Sequence, residues 1–146
     1  MYLSKSFGYA LRGILYISLS CKGGERIHVD EIARELAVPK HFLSKVMKKI
    51  VKHGLLNSAK GPNGGFFPSD ITLSTTLFDL ILITDSEAPF RDCVLRLRKC
   101  NHTYPCPLHN RIENFRKDFY QIFFTITIGD LLNADQPGFI RSISTQ

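Results

Sequence analysis

Three of the four cysteines fall in one stretch, Cys93, Cys100 and Cys106, with His102 inside it and His109 just beyond. Six residues separate the first pair and five the second. Thiolates and imidazoles are the donors of zinc and iron–sulfur sites. A structural zinc site prefers a knuckle of two ligands about two to four residues apart, and here only Cys106 and His109 are that close. Iron–sulfur clusters are larger, sit in open loops, and accept imidazole in place of a thiolate. The neighbouring Arg91, Arg96, Arg98 and Lys99 are expected to lower the thiol pKa values and offset thiolate charge, while Pro105 and Pro107 stiffen the approach to Cys106. Spacing alone therefore favours a metal or cluster site over unpaired thiols, or over a disulfide with one thiol to spare. A Cys/His enzyme can also be drawn, with Cys100 or Cys106 as nucleophile and His102 or His109 as base. No nucleophile elbow or orienting acid lies nearby to support it. Cys21 stands apart and reads as a small core hydrophobe.

The elements that must position these residues are legible from composition and periodicity. The chain has 146 residues, is 44% hydrophobic and carries a formal net charge of +6. That suits one domain with an added oligomerisation element, and excludes wholesale disorder. No apolar run approaches the roughly 18–20 residues of a membrane span, so no membrane partner is expected. Residues 1–21 read as a first helix interrupted by Arg12 rather than a signal peptide, which predicts a cytoplasmic protein. The charge is uneven: residues 1–68 hold 11 Lys+Arg against 4 Asp+Glu, and residues 69–146 hold 8 against 9. A basic half joined to a near-neutral half suggests a polyanion-binding module joined to a part with another task.

Apolar spacing predicts a helix over 4–20 ended by Gly23-Gly24, and a second over 29–36 led by Ile27-His28. A third over 40–53 has Pro39 as its first residue and a Phe42, Val46, Ile50 ridge supported by Leu43 and Met47. A hairpin follows, from Leu55-Leu56-Asn57 through a Gly61-Pro62-Asn63-Gly64-Gly65 turn to Phe66-Phe67-Pro68. Helix, helix, turn, basic helix, hairpin is the order of a winged helix-turn-helix. Lys40, His41, Ser44, Lys45 and Lys48 lie off the apolar ridge, placed to meet bases and phosphates of double-stranded DNA. Lys60, Gly61, Gly64 and Gly65 combine charge with a backbone able to approach DNA closely.

Residues 70–84 are predicted as a mostly apolar fourth helix, and 85–107 as an irregular loop long enough to need a ligand or a function. Leu108, Ile112, Phe115, Phe119, Ile122 and Ile126 recur at coiled-coil-like spacing, with Phe123 widening the seam. The first helices are occupied with one another, so this seam predicts a homodimer. Thr127-Ile128-Gly129-Asp130 resembles a capping box opening a short helix to Leu132. The expected organisation is a DNA-binding module over 1–84, a cysteine loop over 85–107, a dimerisation helix and short last helix over 108–133, and a loosely ordered tail over 134–146. The fold class is mainly α.

From Leu3 to Leu132 the chain resembles the bacterial iron–sulfur winged-helix regulators typified by IscR and NsrR. The resemblance is carried by Leu3-Ser4-Lys5, Tyr9-Ala10-Leu11-Arg12, Glu31-Ile32-Ala33, Phe42-Leu43, Gly54-Leu55-Leu56, the Lys60 to Phe66 wing and the three cysteines. It implies a homodimeric transcription factor, not an enzyme, that binds a palindromic operator with an affinity set by an iron–sulfur cluster of the 2Fe–2S type. It also implies Cys93, Cys100 and Cys106 as thiolate ligands and His109 as the fourth, closer to the IscR type. The acidic ligand of the NsrR type falls on Gly8, which cannot ligate. The chain departs from the pattern in three places. The first cysteine gap is one residue longer than is common, Lys60 stands for the wing arginine, and Pro39, His41 and Ser44 replace the IscR base-contacting residues. The last of these implies a different operator.

Overall fold

The computed structural model describes residues 3–86, 88–97, 99–134 and 138–144. Helix α1, Lys5–Ser20, starts where the Ser4 hydroxyl accepts the Phe7 N–H at 3.2 Å. It buries Phe7, Ala10, Gly13, Ile14, Leu15 and Ile17. The spacing of Phe7, Ala10, Ile14 and Ile17 makes a helical stripe facing the core. Gly13 sets the approach of the third helix, since a Cβ there would stand 3.0 Å from the Met47 sulfur.

Helix α2 (Val29–Glu35) and helix α3 (Lys40–Lys52) form the helix-turn-helix. Pro39 is the N-cap of α3, one position earlier than the sequence predicts. The buried face of α3 is Leu43, Val46, Met47 and Ile50. Phe42 is turned out of it, 41% exposed and edge-on to Tyr9 at 5.4 Å between ring centres. Four of the five predicted apolar positions are thus buried and only Phe42 is not, because Leu43, Met47 and Ile50 follow the i, i+4, i+7 path that packs on α1 and α2. Each such buried aliphatic side chain is worth about 1.5–3 kcal/mol.

Strands β1 (Leu56–Ala59) and β2 (Gly65–Pro68) pair antiparallel, Leu56 opposite Pro68 and Ala59 opposite Gly65. Ile27 extends the hairpin by exchanging both backbone hydrogen bonds with Phe66, at 2.9 and 2.8 Å.

Helix α4 spans Leu77–Thr84, shorter than the predicted 70–84. A capping box of Thr76 and Asp79 starts it, and residues 70–75 form turns that leave Ile71 and Leu73 exposed. Polar side chains decide this. Ser69 Oγ donates to the Gly54 carbonyl at 2.7 Å and Thr72 Oγ to the Leu55 carbonyl at 2.6 Å, holding the segment against the wing root.

A short helix α5, Ala88–Arg91, interrupts the predicted loop. Helix α6, His109–Thr125, follows, then helix α7, Ile128–Asn133, whose Thr127–Asp130 capping box is formed as the sequence predicts. The two capping boxes lie side by side, with Leu77 N–H donating to Ile126 O and Ile128 N–H to Thr75 O, both at 2.9 Å. Helix α8 spans Phe139–Ser144, where a loosely ordered tail is expected. Arg12 on α1 donates to the Ile143 carbonyl from Nε at 3.1 Å and Nη2 at 2.9 Å, and Phe139 and Ile143 pack on the core. Pro137, within the predicted tail, and Arg98 lie outside the described residues.

Candidate functional site

Two places gather the residues with chemical potential. The first is the outer face of α3 with the wing. Lys40, His41, Lys45 and Lys48 are exposed and Ser44 is half-buried, as a helix with one anchored face requires. Lys40 is engaged within the fold: its ammonium pairs with the Asp30 carboxylate at the start of α2. Hydrogen bonding to Lys40 holds the Asp30 carboxyl below the usual carboxylate range, with the His28 ring assisting.

In the wing, Lys60 and Gly61 are exposed at the tip. The glycines serve the hairpin first. A Cβ on Gly65 would stand 2.7 Å from the Ile27 carbonyl carbon, at a φ of +140°. Gly64, buried, donates its N–H to Gly61 O at 2.9 Å and would collide with the Ala59 and Lys60 backbone if substituted. Arg26 lies over the Phe67 ring at 5.4 Å, adding a cation at the wing flank that helical periodicity could not reveal, because it sits beside an isolated bridge.

The second place is the cysteine loop. Cys93, Cys100, Cys106 and His109 all line one cavity, a cleft of about 360 Å³ bounded also by Leu97, Lys99, Asn101 and Tyr104. Two tight turns bring them there. Arg96, at φ +53°, donates its N–H back to Cys93 O at 3.0 Å. His109 N–H donates to Cys106 O at 2.9 Å, which joins Cys106 to the first residue of α6. Cys100 Sγ lies 3.2 Å from His109 Nδ1, and His109 Nε2 lies 3.1 Å from His102 Nδ1. His109 is buried, so both ring nitrogens are satisfied inside the site.

None of the four cysteines forms a disulfide. Among the described residues no three His, Cys, Asp or Glu side chains converge on a single-ion position. The donors ring an open cleft instead. Cys21 is partly buried against the core, with Sγ 3.8 Å from Phe66 O, and burial pushes its thiol pKa up, as suits the inert role expected of it.

The predicted seam on α6 divides. Phe119 and Ile126 pack against the chain's own core, and Ile112 lines the wall between α6 and the cysteines. Leu108, Phe115 and Ile122 stay exposed, at 43%, 61% and 55%. Inward packing also runs through Tyr120 and Phe123: Tyr120 lies 4.8 Å from Phe78 of α4 and edge-on to Phe90 of α5 at 4.7 Å, while Phe124, 47% exposed, stacks on Phe78 at 4.4 Å.

Three helices, a two-stranded wing and a long carboxy-terminal helix define a winged helix-turn-helix regulator. The family described as Rrf2, iron-dependent transcriptional regulator, matches residues 3–134, and the chain belongs to it. An HTH-type transcriptional regulator of Aquifex aeolicus is 31% identical over 138 residues, covering 93% of this chain and 94% of that one. Among solved structures, CymR, the global cysteine regulator of B. subtilis, matches with a TM-score of 0.76 at 16% identity, covering 93% of this chain and 99% of that one. T. potens IscR matches with a TM-score of 0.70 at 16% identity, covering 95% and 91%. At those identities the two structures speak for the fold. The protein is a DNA-binding transcriptional regulator and not an enzyme. Among the described residues no helix is long and apolar enough to cross a membrane.

Proposed function

We propose that the protein is a homodimeric cytoplasmic regulator whose affinity for a palindromic operator is set by an iron–sulfur cluster of the 2Fe–2S type. The cluster would be held by Cys93, Cys100, Cys106 and His109. One observation carries this reading: all four side chains line the same cleft, with Cys100 Sγ 3.2 Å from His109 Nδ1. Three soft thiols and one imidazole ringing an open cleft fit a multi-iron cluster better than a single tetrahedral ion. When bound, the cluster supplies a redox-active, oxidant-sensitive centre.

The chain's own residues do the rest. Lys45 and Lys48, with His41, Ser44 and Lys40, face the major groove and its phosphates, and Lys60, Gly61, Gly64 and Gly65 form the wing that meets adjacent minor grooves or phosphates. Leu108, Phe115 and Ile122 cover one another across a two-fold axis with Ile112, Phe119 and Ile126 behind them, burying apolar surface that the single chain leaves in water. The cysteine loop runs between the module and α6, so its arrangement sets the pose of each recognition helix relative to its partner. A ligand in the loop shifts DNA affinity only by favouring one pose over the other.

The test is anaerobic reconstitution with iron and sulfide, followed by absorption spectra and iron and acid-labile sulfide analysis, for wild type and Cys106→Ala side by side. Matched iron and sulfide in wild type, lost in the variant, supports the reading. A colourless protein that takes up no iron overturns it. That outcome favours the second reading, a cluster-free regulator using thiol redox, zinc or a partner protein, to which the fold shared with a global cysteine regulator lends support.

A further inference from the structure

The cysteine cleft has a neighbour that neither the donor set nor the winged helix accounts for. Arg116, on α6 two turns beyond His109, is 9% exposed, one of few charged side chains buried in the described fold. A guanidinium is costly to bury unless it is closely paired and fully hydrogen-bonded, and this one has only a long ion pair and an incomplete set of hydrogen bonds. Its Nη2 donates to the Asp92 carbonyl at 2.7 Å. Its Nη1 stands 3.8 Å from Glu113, a carboxylate that is itself 29% exposed. Its Nε is buried without a hydrogen-bond partner. The charge is therefore under-compensated where it stands.

Its location supplies the reason. Arg116 and Glu113 line a small enclosed cavity together with Cys93, Cys100, Cys106 and His109. The carbonyl that Arg116 holds belongs to the residue immediately before Cys93.

We propose that Arg116 is the positioning and charge-balancing residue of the cysteine site, fixing the backbone at Cys93 and offsetting the negative charge that three thiolates and a reduced cluster place beside it. The inference rests on the cluster reading above. Three thiolates and a neutral imidazole outweigh the positive charge of an oxidised cluster core, and each electron taken up adds one negative charge. A fixed buried cation stabilises the more negative form more, so Arg116 raises the reduction potential. Glu113 opposes it, but from a position partly in water, where its charge is screened.

The test is a redox titration of the reconstituted protein under anaerobic conditions, with dithionite as one-electron reductant, for wild type, Arg116→Lys, Arg116→Gln and Arg116→Met. Iron and sulfide are measured on each. Arg116→Gln and Arg116→Met are expected to be harder to reduce by about tenfold in equilibrium constant, which is 59 mV for a one-electron couple. Arg116→Lys, which keeps the charge but loses the fork, is expected to stay close to the wild-type potential while retaining less iron, because the hold on Asp92 is weakened. A residue that only supports the fold would make Lys as damaging as Met and leave the potential of any loaded fraction unchanged. That result overturns the inference while leaving the cluster reading intact. A wild type that takes up no iron overturns both, and iron analysis separates the two cases.

Discussion

Asp85 grips Ser4 with both carboxylate oxygens: Oδ1 accepts the Ser4 N–H at 2.8 Å and Oδ2 accepts the Ser4 hydroxyl at 2.9 Å. Ser4 in turn caps α1 by accepting the Phe7 N–H, and Thr84 Oγ donates to the same Asp85 Oδ2 at 2.7 Å. The end of α4, where the cysteine loop departs, is thereby tied to the start of α1, 81 residues earlier. Asp85→Ala removes charge-assisted acceptors from three donors and is expected to cost about 1 kcal/mol. Urea denaturation of the iron-free protein should show a lower midpoint with an unchanged slope.

The wing depends on Gly65 for space as well as conformation. Gly65→Ala drives a Cβ into the Ile27 backbone at a left-handed φ and should cost about 1–3 kcal/mol. Gly61→Ala, also at positive φ but with open space around it, should cost about 1 kcal/mol. Thermal melts of the two variants should rank in that order. Equal melts would remove the Ile27 contact from the explanation.

In the proposed role, basic residues on α3 and the wing meet phosphate, and their contribution follows counterion release. Lys45→Ala, Lys48→Ala and Lys60→Ala should each weaken binding to any duplex and reduce the slope of log affinity against log salt by about 0.9. Asp30→Asn should do the reverse, because it frees the Lys40 ammonium from the carboxylate that holds it. Fluorescence anisotropy on one non-operator duplex across a salt series measures both. An Asp30→Asn protein that binds more weakly would show that Lys40 needs its partner for orientation.

Among the described residues three carboxylates carry lowered pKa values. Backbone N–H donation from Gly23 lowers Glu25, the Lys40 hydrogen bond lowers Asp30, and the Thr127 backbone N–H lowers Asp130. A folded-state pKa below the unfolded one stabilises the protein above the unfolded value, near about 4. That contribution is lost as pH falls through the folded value. Stability should therefore be level from neutral pH to about pH 5 on this account and decline below it. Asp130→Asn should make the acid decline shallower in a pH series of urea midpoints.

Exposed Phe115 and Ile122 predict how the subunits join. Phe115→Asp or Ile122→Asp places a charge in the surface proposed to be buried between two copies, and should convert the proposed dimer to a monomer in sedimentation velocity. The monomer should retain its helical circular dichroism, because Phe123 and Tyr120, not these residues, pack α6 on the core. A monomeric wild type would place the seam's partner elsewhere.

Much of this was legible in the chain itself. Local signals set the order of helices and wing: the cap at Thr127, the glycines around the hairpin turn, and the apolar periods of α1 and α2 all depend on neighbours a few residues away. The cysteine group was legible for the same reason, since three thiols and a histidine fall within a short stretch. In α3 only Phe42 was misplaced on the buried face, and α4 was read too long. The facing of Phe42 is decided by α1 and α2 packing on α3, and the start of α4 by Ser69 and Thr72 reaching back to the carbonyls of Gly54 and Leu55. Arg116 gave no sign in the sequence: one basic residue on a charged helix looks like any solvated cation. Only the tertiary structure folds the loop over it, removing water from its guanidinium and setting it in the wall behind Cys93, and burial is a property of packing that residue order does not encode locally.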